Sequence, residues 1–232
     1  MAKRGRPKVC PVTSAPPPPP LPRSPQLSLT ERRKAATQLD IARAAAELFA
    51  ERGPDGTTAE EIAQRAGIAL RTFYRYFRSK EDAVSPLLSA GGAQWRGLLA
   101  ETVDRAPGHS GSDLRDALVT AAQASMTPVD AAGAEALEGT RGLLRAAAAD
   151  PALRAVWYRV NQESEEQLVP VLAALPSLAE RSALDLRMIA AGATDAIRLS
   201  LEAWAATDAA PDGPEGPVAL VDRCMRTLLQ WL

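Results

Sequence analysis

The feature that most restricts the fold of this chain is the stretch Thr58–Asp82, which reads as two short helices joined by a tight turn and followed by a third. Thr58 and Glu61 have the spacing of a capping box, so a helix is expected to begin at about Ala59. Gly67 follows the last apolar position of that helix and suits the left-handed conformation that ends a helix at low cost. The pattern is typical of a helix-turn-helix, in which the second helix presents side chains to base edges in the major groove.

The second helix of this stretch has an inner and an outer face. Phe73 and Phe77 stand four residues apart and are expected to point into one small core. The residue at the capping position is Ala69, which has no side-chain oxygen, so we expect this helix to fray until DNA holds it. The neighbours of the two phenylalanines are expected to face outward: Leu70, Arg71, Tyr74 and Arg75.

Further helices are predicted on both sides of this stretch. An amphipathic helix is expected from Arg33 to Arg52, ended by the turn at residues 53–56. The capping pattern recurs at Ser79 and Asp82, so a further helix, beyond these three, is expected to start at Lys80. Residues 31–82 are therefore predicted to form a three-helix DNA-binding domain.

Residues 33–82 resemble the DNA-binding domain of the TetR family of transcriptional regulators. The family usually has Ser or Thr where this chain has Ala69. The shared signature is Leu48-Phe49, Gly53, Thr57-Thr58, Ile62-Ala63, Ala66-Gly67-Ile68, Thr72-Phe73-Tyr74, Tyr76-Phe77 and Lys80.

The resemblance implies a homodimer that binds a double-stranded palindromic DNA operator, as a repressor rather than an activator, and releases it on binding a small-molecule effector. By position, Arg71 and Tyr74 would read bases, with Leu70 and Arg75 beside them. The residues that would bind phosphates are Thr58, Thr72, Tyr76 and Lys80.

The charge distribution favours the same interpretation. Residues 1–85 contain 15 Lys and Arg against 9 Asp and Glu, whereas the remaining residues contain 12 against 19. The near-neutral whole therefore combines a basic half with an acidic half. Because phosphate contacts dominate non-specific DNA affinity, the DNA surface is expected at the N-terminal end.

Residues 1–30 are predicted to form a disordered basic and proline-rich tail. The motif Arg4-Gly5-Arg6-Pro7 resembles an AT-hook core, in which the arginines enter the minor groove of A·T tracts. Residues 11–25 are rich in proline and suit a stiff extended spacer. The tail is interpreted either as solvated chain without a fixed partner or as an auxiliary DNA-binding arm. No signal peptide is expected, because no apolar run follows the basic residues.

Residues 83–232 are predicted to form a larger helical domain for effector binding and dimerisation, which makes the whole chain all-α. A long first helix is expected to bend at Gly91-Gly92, with Pro86 in its first turns. The predicted helices run from Lys80 to about Arg105, from Ser112-Asp113, from Asp130 to Ala149, from Asp150-Pro151 to about Leu175, from Ser177 to Ala206, and from Gly216-Pro217 to Leu232.

The large side chains of this alanine-rich domain are the candidates for a ligand cavity between helices, although filling ordinary core is an equally natural role for each of them. Residues 138–171 loosely resemble the branch of the family that senses acyl-CoA or related acyl molecules, which favours an elongated apolar effector. The candidate ligand-binding residues are Trp95, Met126, Trp157, Tyr158, Asn161 and Met188.

The last two helices are the candidates for a dimer interface. Trp204 or Leu201 is expected to sit against the apolar face of the last helix. That face is formed by Val218, Val221, Cys224, Met225, Leu228, Leu229 and Leu232.

Enzyme readings find little support in this sequence. His109 is the single histidine, and Cys10 and Cys224 have neither metal nor disulfide spacing, which suits a reducing cytoplasm. No metal site, cofactor or membrane span is expected. Two alternatives remain: an architectural A·T-rich DNA binder acting through the Arg4–Pro7 arm, and a helical carrier or enzyme with a vestigial DNA-binding head.

Overall fold

A computed structural model describes residues 28–104 and 111–232, which form α-helices and no β-strand within those ranges. We call residues 28–84 the head and residues 85–232 the body. The helices are α1 (Leu29–Arg52), α2 (Ala59–Arg65), α3 (Leu70–Tyr76), α4 (Ser85–Asp104), α5 (Gly111–Ser125), α6 (Ala131–Ala149), α7 (Pro151–Ala173), α8 (Ala183–Ala205) and α9 (Pro217–Leu228), with short 3₁₀ turns at Asp82–Val84 and Pro176–Leu178.

Several helices begin at the side-chain caps that the sequence predicts. Thr58 and Glu61 form the capping box of α2, and the Asp130 carboxylate accepts the Gly133 amide at 2.7 Å to open α6. The Asp150 carboxylate accepts the Ala152 amide at 2.7 Å, and Pro151 fills the first helical position of α7. Each cap satisfies amides that have no partner within the helix.

The start of α1 differs from the prediction. The helix begins at Leu29 rather than Arg33, inside the segment assigned to the tail, because Ser28 and Glu31 form a further capping box. The Glu31 carboxylate accepts the Ser28 amide at 2.8 Å, which fixes the first turn of the helix.

The expected start at Lys80 is wrong. The Ser79 hydroxyl does accept the Asp82 amide at 3.1 Å, but only a 3₁₀ turn follows, and α4 begins at Ser85. A helix from Lys80 would place Pro86 in its interior, where proline lacks the required N–H and collides with the preceding turn. Restarting at Ser85 places Pro86 in the first turn, where that N–H is not needed.

The expected start at Ser177 is also wrong, since α8 begins at Ala183. Its capping box is formed by Ser182 and Asp185, and the residues before it form the 3₁₀ turn at Pro176–Leu178. The last helix ends at Leu228 rather than at Leu232. Chain ends and proline-rich joints are the places where periodicity gives the weakest boundary signal.

The buried residues form two clusters. The first combines head residues such as Ile41 and Phe73 with body residues such as Leu153 and Trp157. The second lies between α4, α5, α7, α8 and α9 and includes Trp95. Because the first cluster crosses the boundary, the head is packed against α6 and α7 and not merely tethered to them.

The predicted dimer face of α9 is largely used inside the protomer. Val221, Met225 and Leu229 are each 0% exposed and pack in the second cluster, and Trp204 is 0% exposed as well. The expectation that Val221, Met225 and Leu229 meet a partner is therefore wrong. The large apolar side chains that do remain exposed on α8 are Leu184, Met188 and Leu199.

Within the described ranges, no helix is both long and apolar enough to cross a membrane.

Candidate nucleic-acid interface and internal cavity

The turn between α2 and α3 is fixed by backbone geometry. Gly67 has φ +67°, a conformation that costs glycine little and other residues more. The Ile68 amide donates to the Ala63 carbonyl at 2.9 Å and the Gly67 amide to the Gln64 carbonyl at 3.1 Å, which closes the end of α2. Ile68 is half-buried against the first cluster, so the angle between the two helices is held by both hydrogen bonds and packing.

Helix α3 is anchored by its two phenylalanines. Phe73 is 0% and Phe77 3% exposed, as their spacing predicts. Arg71, Tyr74 and Arg75 point into solvent, as expected. Leu70 does not fully share their position, since it is half-buried and packs against the first cluster, whereas the sequence placed it outward.

The N-terminus of α3 has no side-chain cap, since Ala69 occupies that position in extended backbone conformation. The N-terminus of α2, in contrast, has a reciprocal cap. The Glu61 amide donates to Thr58 Oγ1 at 3.2 Å, and Glu61 Oε2 accepts the Thr58 amide at 2.8 Å. The Thr58 amide, followed by the Arg52 guanidinium, holds the pKa of the Glu61 carboxyl below its ordinary value. Glu61 is therefore a carboxylate at neutral pH.

The arginines between the end of α1 and the turn after α3 fall into two groups. Arg52 binds Glu61 at 2.8 Å, and Arg65 binds Glu51 at 3.0 Å and Glu47 at 3.2 Å. These ion pairs occupy the first group, Arg52 and Arg65.

The second group is Arg71, Arg75 and Arg78, which are exposed and form no ion pair with any residue in the described ranges. Residues 28–84 contain 10 Lys and Arg against 9 Asp and Glu, so the head as a whole is almost neutral. Within the described ranges, unpaired positive charge therefore stands on α3 and the turn that follows it, and also at Arg32, Arg33 and Lys34 in the first turns of α1.

Lys80 has a structural task in this arrangement. Its ammonium group donates to the Pro54 carbonyl at 2.7 Å and the Thr57 carbonyl at 2.9 Å. The Glu81 carboxylate lies 3.8 Å from the same ammonium group, too far for a hydrogen bond, so one of its three N–H donors remains for another acceptor. Thr58 is exposed, while Thr72 and Tyr76 are half-buried, and the Arg75 guanidinium lies 5.1 Å from the centre of the Tyr76 ring. Arg4 and Arg6 lie outside the described residues.

The body encloses a cavity of about 730 Å³ between α1, α4, α6, α7 and α8. Four of the candidate ligand residues line it: Trp95, Met126, Trp157 and Asn161. The volume is in the range of roughly 300–1,000 Å³ that is usual for sites of small ligands.

Two candidate ligand residues do not line this cavity. Tyr158 is 50% and Met188 45% exposed, so the expectation that they contribute to it is wrong. Tyr158 instead lies beside a smaller surface depression of about 310 Å³, with the Arg198 guanidinium 5.5 Å from the centre of its ring. Both residues are on helix faces directed away from the cavity, which apolar spacing alone does not distinguish.

The cavity wall carries polar groups among its apolar side chains. The Trp157 indole N–H donates to Glu202 at 2.7 Å. The Trp95 indole N–H and the Thr194 hydroxyl are buried and have no hydrogen-bond partner within the described ranges. Arg96 donates to Ser164 Oγ at 2.7 Å and to Gln167 Oε1 at 2.5 Å.

A sequence profile described as "Bacterial regulatory proteins, tetR family" matches residues 41–84, which include α2, the turn and α3. The chain carries a TetR-family DNA-binding domain. This confirms the resemblance predicted from the sequence.

The relatives of this chain are regulators by name. It is 30% identical over 149 residues to the HTH-type transcriptional regulator TcmR of Streptomyces glaucescens, over 63% of each chain. It is 34% identical over 100 residues to the HTH-type transcriptional repressor Rv3405c of Mycobacterium tuberculosis, over 39% of this chain and 53% of the relative. The chain thus spans less than two thirds of the length of either relative.

Solved structures share the fold. The transcriptional regulator FadR of Bacillus subtilis, solved in complex with stearoyl-CoA, superposes with a TM-score of 0.52 at 20% identity over 84% of this chain and 98% of FadR. The repressor AlkX of Dietzia superposes with a TM-score of 0.52 at 17% identity over 84% of this chain and 94% of AlkX. At such low identity these superpositions show a TetR-like fold and no more.

Sequence reasoning missed the polar cluster of the body. Arg96 is the only charged residue between Val84 and Ala100. A single arginine in the otherwise uncharged first 15 residues of a helix that must be packed is the signal that would have indicated it. Its partners Ser164 and Gln167 lie on another helix, and no sequence spacing predicts that meeting.

Proposed function

We propose that this protein is a transcriptional regulator that binds a palindromic DNA operator as a dimer and is released by a small-molecule effector, acting as a repressor. The observation that carries the proposal is the group of arginines on and after α3, Arg71, Arg75 and Arg78, which are exposed and unpaired within the described ranges. Exposed cations on the second helix of a helix-turn-helix suit the phosphates and base edges of a major groove. A regulatory role needs no catalytic group, and we propose none.

Base reading is assigned to Arg71 and Tyr74, which stand on the exposed side of α3. Arg75 lies beside them, and Leu70 contributes only the part of its side chain that the head core leaves exposed. Phosphate contacts are assigned to residues around this surface: Thr58, Thr72, Tyr76 and Lys80. The exposed Arg75 and Arg78, unpaired within the described ranges, are assigned further phosphate contacts.

Dimerisation follows from the size of the reading head. A single helix-turn-helix contacts few base pairs, so recognition of a site within a genome needs two copies on a two-fold symmetric sequence. The exposed apolar residues Leu184, Met188 and Leu199 lie on α8, and Leu228 at the end of α9 is 38% exposed. We place the dimer interface on these side chains, in contrast to the buried face that the sequence suggested.

The cavity is the proposed effector site. Its mixture of apolar side chains and a few polar groups suits an elongated, mostly apolar molecule. FadR, which shares the fold, was solved in complex with stearoyl-CoA. An acyl-CoA or a related acyl compound is therefore a natural first probe.

A chain of ion pairs connects the cavity to the head. Glu163 lines the cavity and binds Arg159 at 2.9 Å, and the other side of the Arg159 guanidinium binds Asp82. Asp82 in turn accepts the Arg78 amide at 3.3 Å, directly after the recognition helix. We propose that an effector repositions α4 and α7 and, through this chain, changes the separation of the two heads. Release requires that the effector bind one head separation better than the other.

The salt dependence of binding to random duplex DNA tests the proposed interface. The DNA-binding constant K falls as salt rises, and each phosphate contact adds roughly 0.9 to the steepness of log K against log salt. Losing one contact therefore makes the dependence shallower by that amount. In fluorescence anisotropy titrations, we expect Arg75→Gln and Arg78→Gln each to make the slope shallower by about 1.

Arg52→Gln is the matched control. Arg52 is an exposed arginine of the same head, but it is bound to Glu61. Loss of such a surface pair costs roughly 0–1 kcal/mol of stability and should leave the slope unchanged. Equal slopes for wild type, Arg75→Gln and Arg78→Gln would contradict the proposed interface.

A further inference from the structure

The cluster of Arg96, Ser164 and Gln167 is built to receive a negative charge. Arg96 lies on α4, while Ser164 and Gln167 lie on α7, and all three line the large cavity. Within the described ranges, Arg96 binds these two neutral side chains and forms no ion pair. Burial lowers the pKa of its guanidinium from the ordinary value, but arginine remains charged at neutral pH. A half-buried cation without an anion is costly, so a ligand that supplies the anion is favoured.

The hydrogen-bonding capacity that remains in this cluster consists of donors. A guanidinium only donates, so the oxygen atoms of Ser164 and Gln167 are used as acceptors by Arg96. What is left is the Ser164 O–H, the amide N–H groups of Gln167 and the remaining N–H groups of Arg96. Elsewhere in the wall of the same cavity, Trp95 is 1% exposed and carries an indole N–H that has no partner within the described ranges.

The acidic residues nearest in the lining do not neutralise this site. Glu163 is bound to Arg159 and Glu47 to Arg65, at 2.9 Å and 3.2 Å. Glu135 is exposed on α6.

The structure assigns Arg96, Ser164 and Gln167 to a subsite that binds the carboxylate of an otherwise apolar effector. A carboxylate is favoured because it is planar and accepts two parallel N–H bonds from a guanidinium. The inference rests on the proposed function, since it names the chemistry of the effector for the same cavity.

A substitution at Gly92 can block this subsite while Arg96, Ser164 and Gln167 themselves are left unchanged. A Cβ atom at position 92 would lie 2.9 Å from Ser164 Oγ and 3.3 Å from a terminal nitrogen of Arg96. Alanine is also a better helix former than glycine, so the substitution should not weaken α4 itself. Gly97→Ala is the matched control, because a Cβ atom there has no neighbour within 4 Å.

Isothermal titration calorimetry of the full-length, DNA-free protein with decanoate and with decanol tests the assignment. We expect decanoate to bind roughly tenfold to a hundredfold more tightly than decanol, which is the usual advantage of a charge-assisted hydrogen bond. Arg96→Met should abolish this preference, and Gly92→Ala should reduce it. Gly97→Ala should leave it unchanged.

Equal affinities of wild type for the two probes, or binding of neither, would overturn the carboxylate subsite. A preference that survives in both Arg96→Met and Gly92→Ala would also overturn it. None of these results bears on DNA binding, which is measured separately with duplex DNA and no effector. Failure of the subsite and failure of the proposed function are therefore distinguishable.

Discussion

A serine at position 69 should supply the cap that the recognition helix lacks. Ala69 stands at the capping position with φ −73° and ψ 147°, the extended conformation that a capping residue adopts, and it makes no side-chain hydrogen bond. Its side chain is exposed, so a hydroxyl meets no obstacle. Serine in place of alanine at such a position contributes roughly 0.5–2 kcal/mol. The same free energy corresponds to about a twofold to thirtyfold shift in a local opening equilibrium.

Amide hydrogen exchange at Thr72 and Phe73 measures this equilibrium directly. Both amides donate to the Ala69 carbonyl, at 2.8 Å and 3.1 Å, so their protection reports the first turn of α3. We expect protection to rise by roughly two- to thirtyfold in Ala69→Ser. Ala36→Ser is the control: Ala36 is exposed inside α1, where serine is the poorer helix former and should lower stability by about 0.5 kcal/mol.

We expect Ala69→Ser to have only a small effect on DNA affinity. Stabilising the helix can raise DNA affinity at most by a factor of one over the fraction of free molecules in which the helix is already folded. Because Phe73 and Phe77 are 0% and 3% exposed, packing keeps α3 folded in most free molecules, and we expect a gain of less than about twofold. Unchanged amide protection would refute the capping argument. A tenfold gain in affinity would show that the free helix is mostly unfolded and refute the packing argument.

Four further substitutions test the DNA contacts, the dimer interface and the coupling between the cavity and the head. Arg71→Ala should cost roughly 1–3 kcal/mol on the preferred site and relax specificity there, whereas Tyr76→Phe should weaken all sequences alike; the reverse pattern in competition binding assays would contradict the docking. Met188→Glu should convert the dimer to a monomer in sedimentation velocity, because it places a charge in the proposed seam, and an unchanged sedimentation coefficient would rule that seam out. Arg159→Ala should leave operator and effector binding intact but reduce effector-induced release, since it removes the link to Asp82; normal release in the same anisotropy assay would exclude this route of coupling.

The head was largely predictable because its signals are local. The Thr58–Glu61 capping box, the left-handed Gly67 and the buried pair Phe73 and Phe77 each follow from residues within four positions of one another. Leu70 is the exception, since its half-buried state depends on a core that the helix pattern alone does not define.

The body was predictable as a set of helices but not in its contacts. Pro86 decided one boundary against the Ser79–Asp82 capping pattern, and the start of α8 was set by the Ser182–Asp185 capping box, six residues after Pro176. The buried face of α9 reads from sequence as an interface, because a helix packed in its own protomer and one packed on a partner have the same periodicity. The meeting of Arg96 with Ser164, 68 residues further along the chain, depends on tertiary packing alone.

Selection of bound sequences from random duplex DNA by the full-length protein, at near-physiological salt, tests the central claim most directly. The account predicts an inverted repeat with half-sites about one helical turn apart. It also predicts that Arg71→Ala loses preference within each half-site. Recovery of A·T-rich DNA without symmetry would contradict the account and assign binding to the arm that contains Arg4 and Arg6. Recovery of no preferred sequence would also contradict it and would favour the alternative of a helical carrier or enzyme whose DNA-binding head is vestigial.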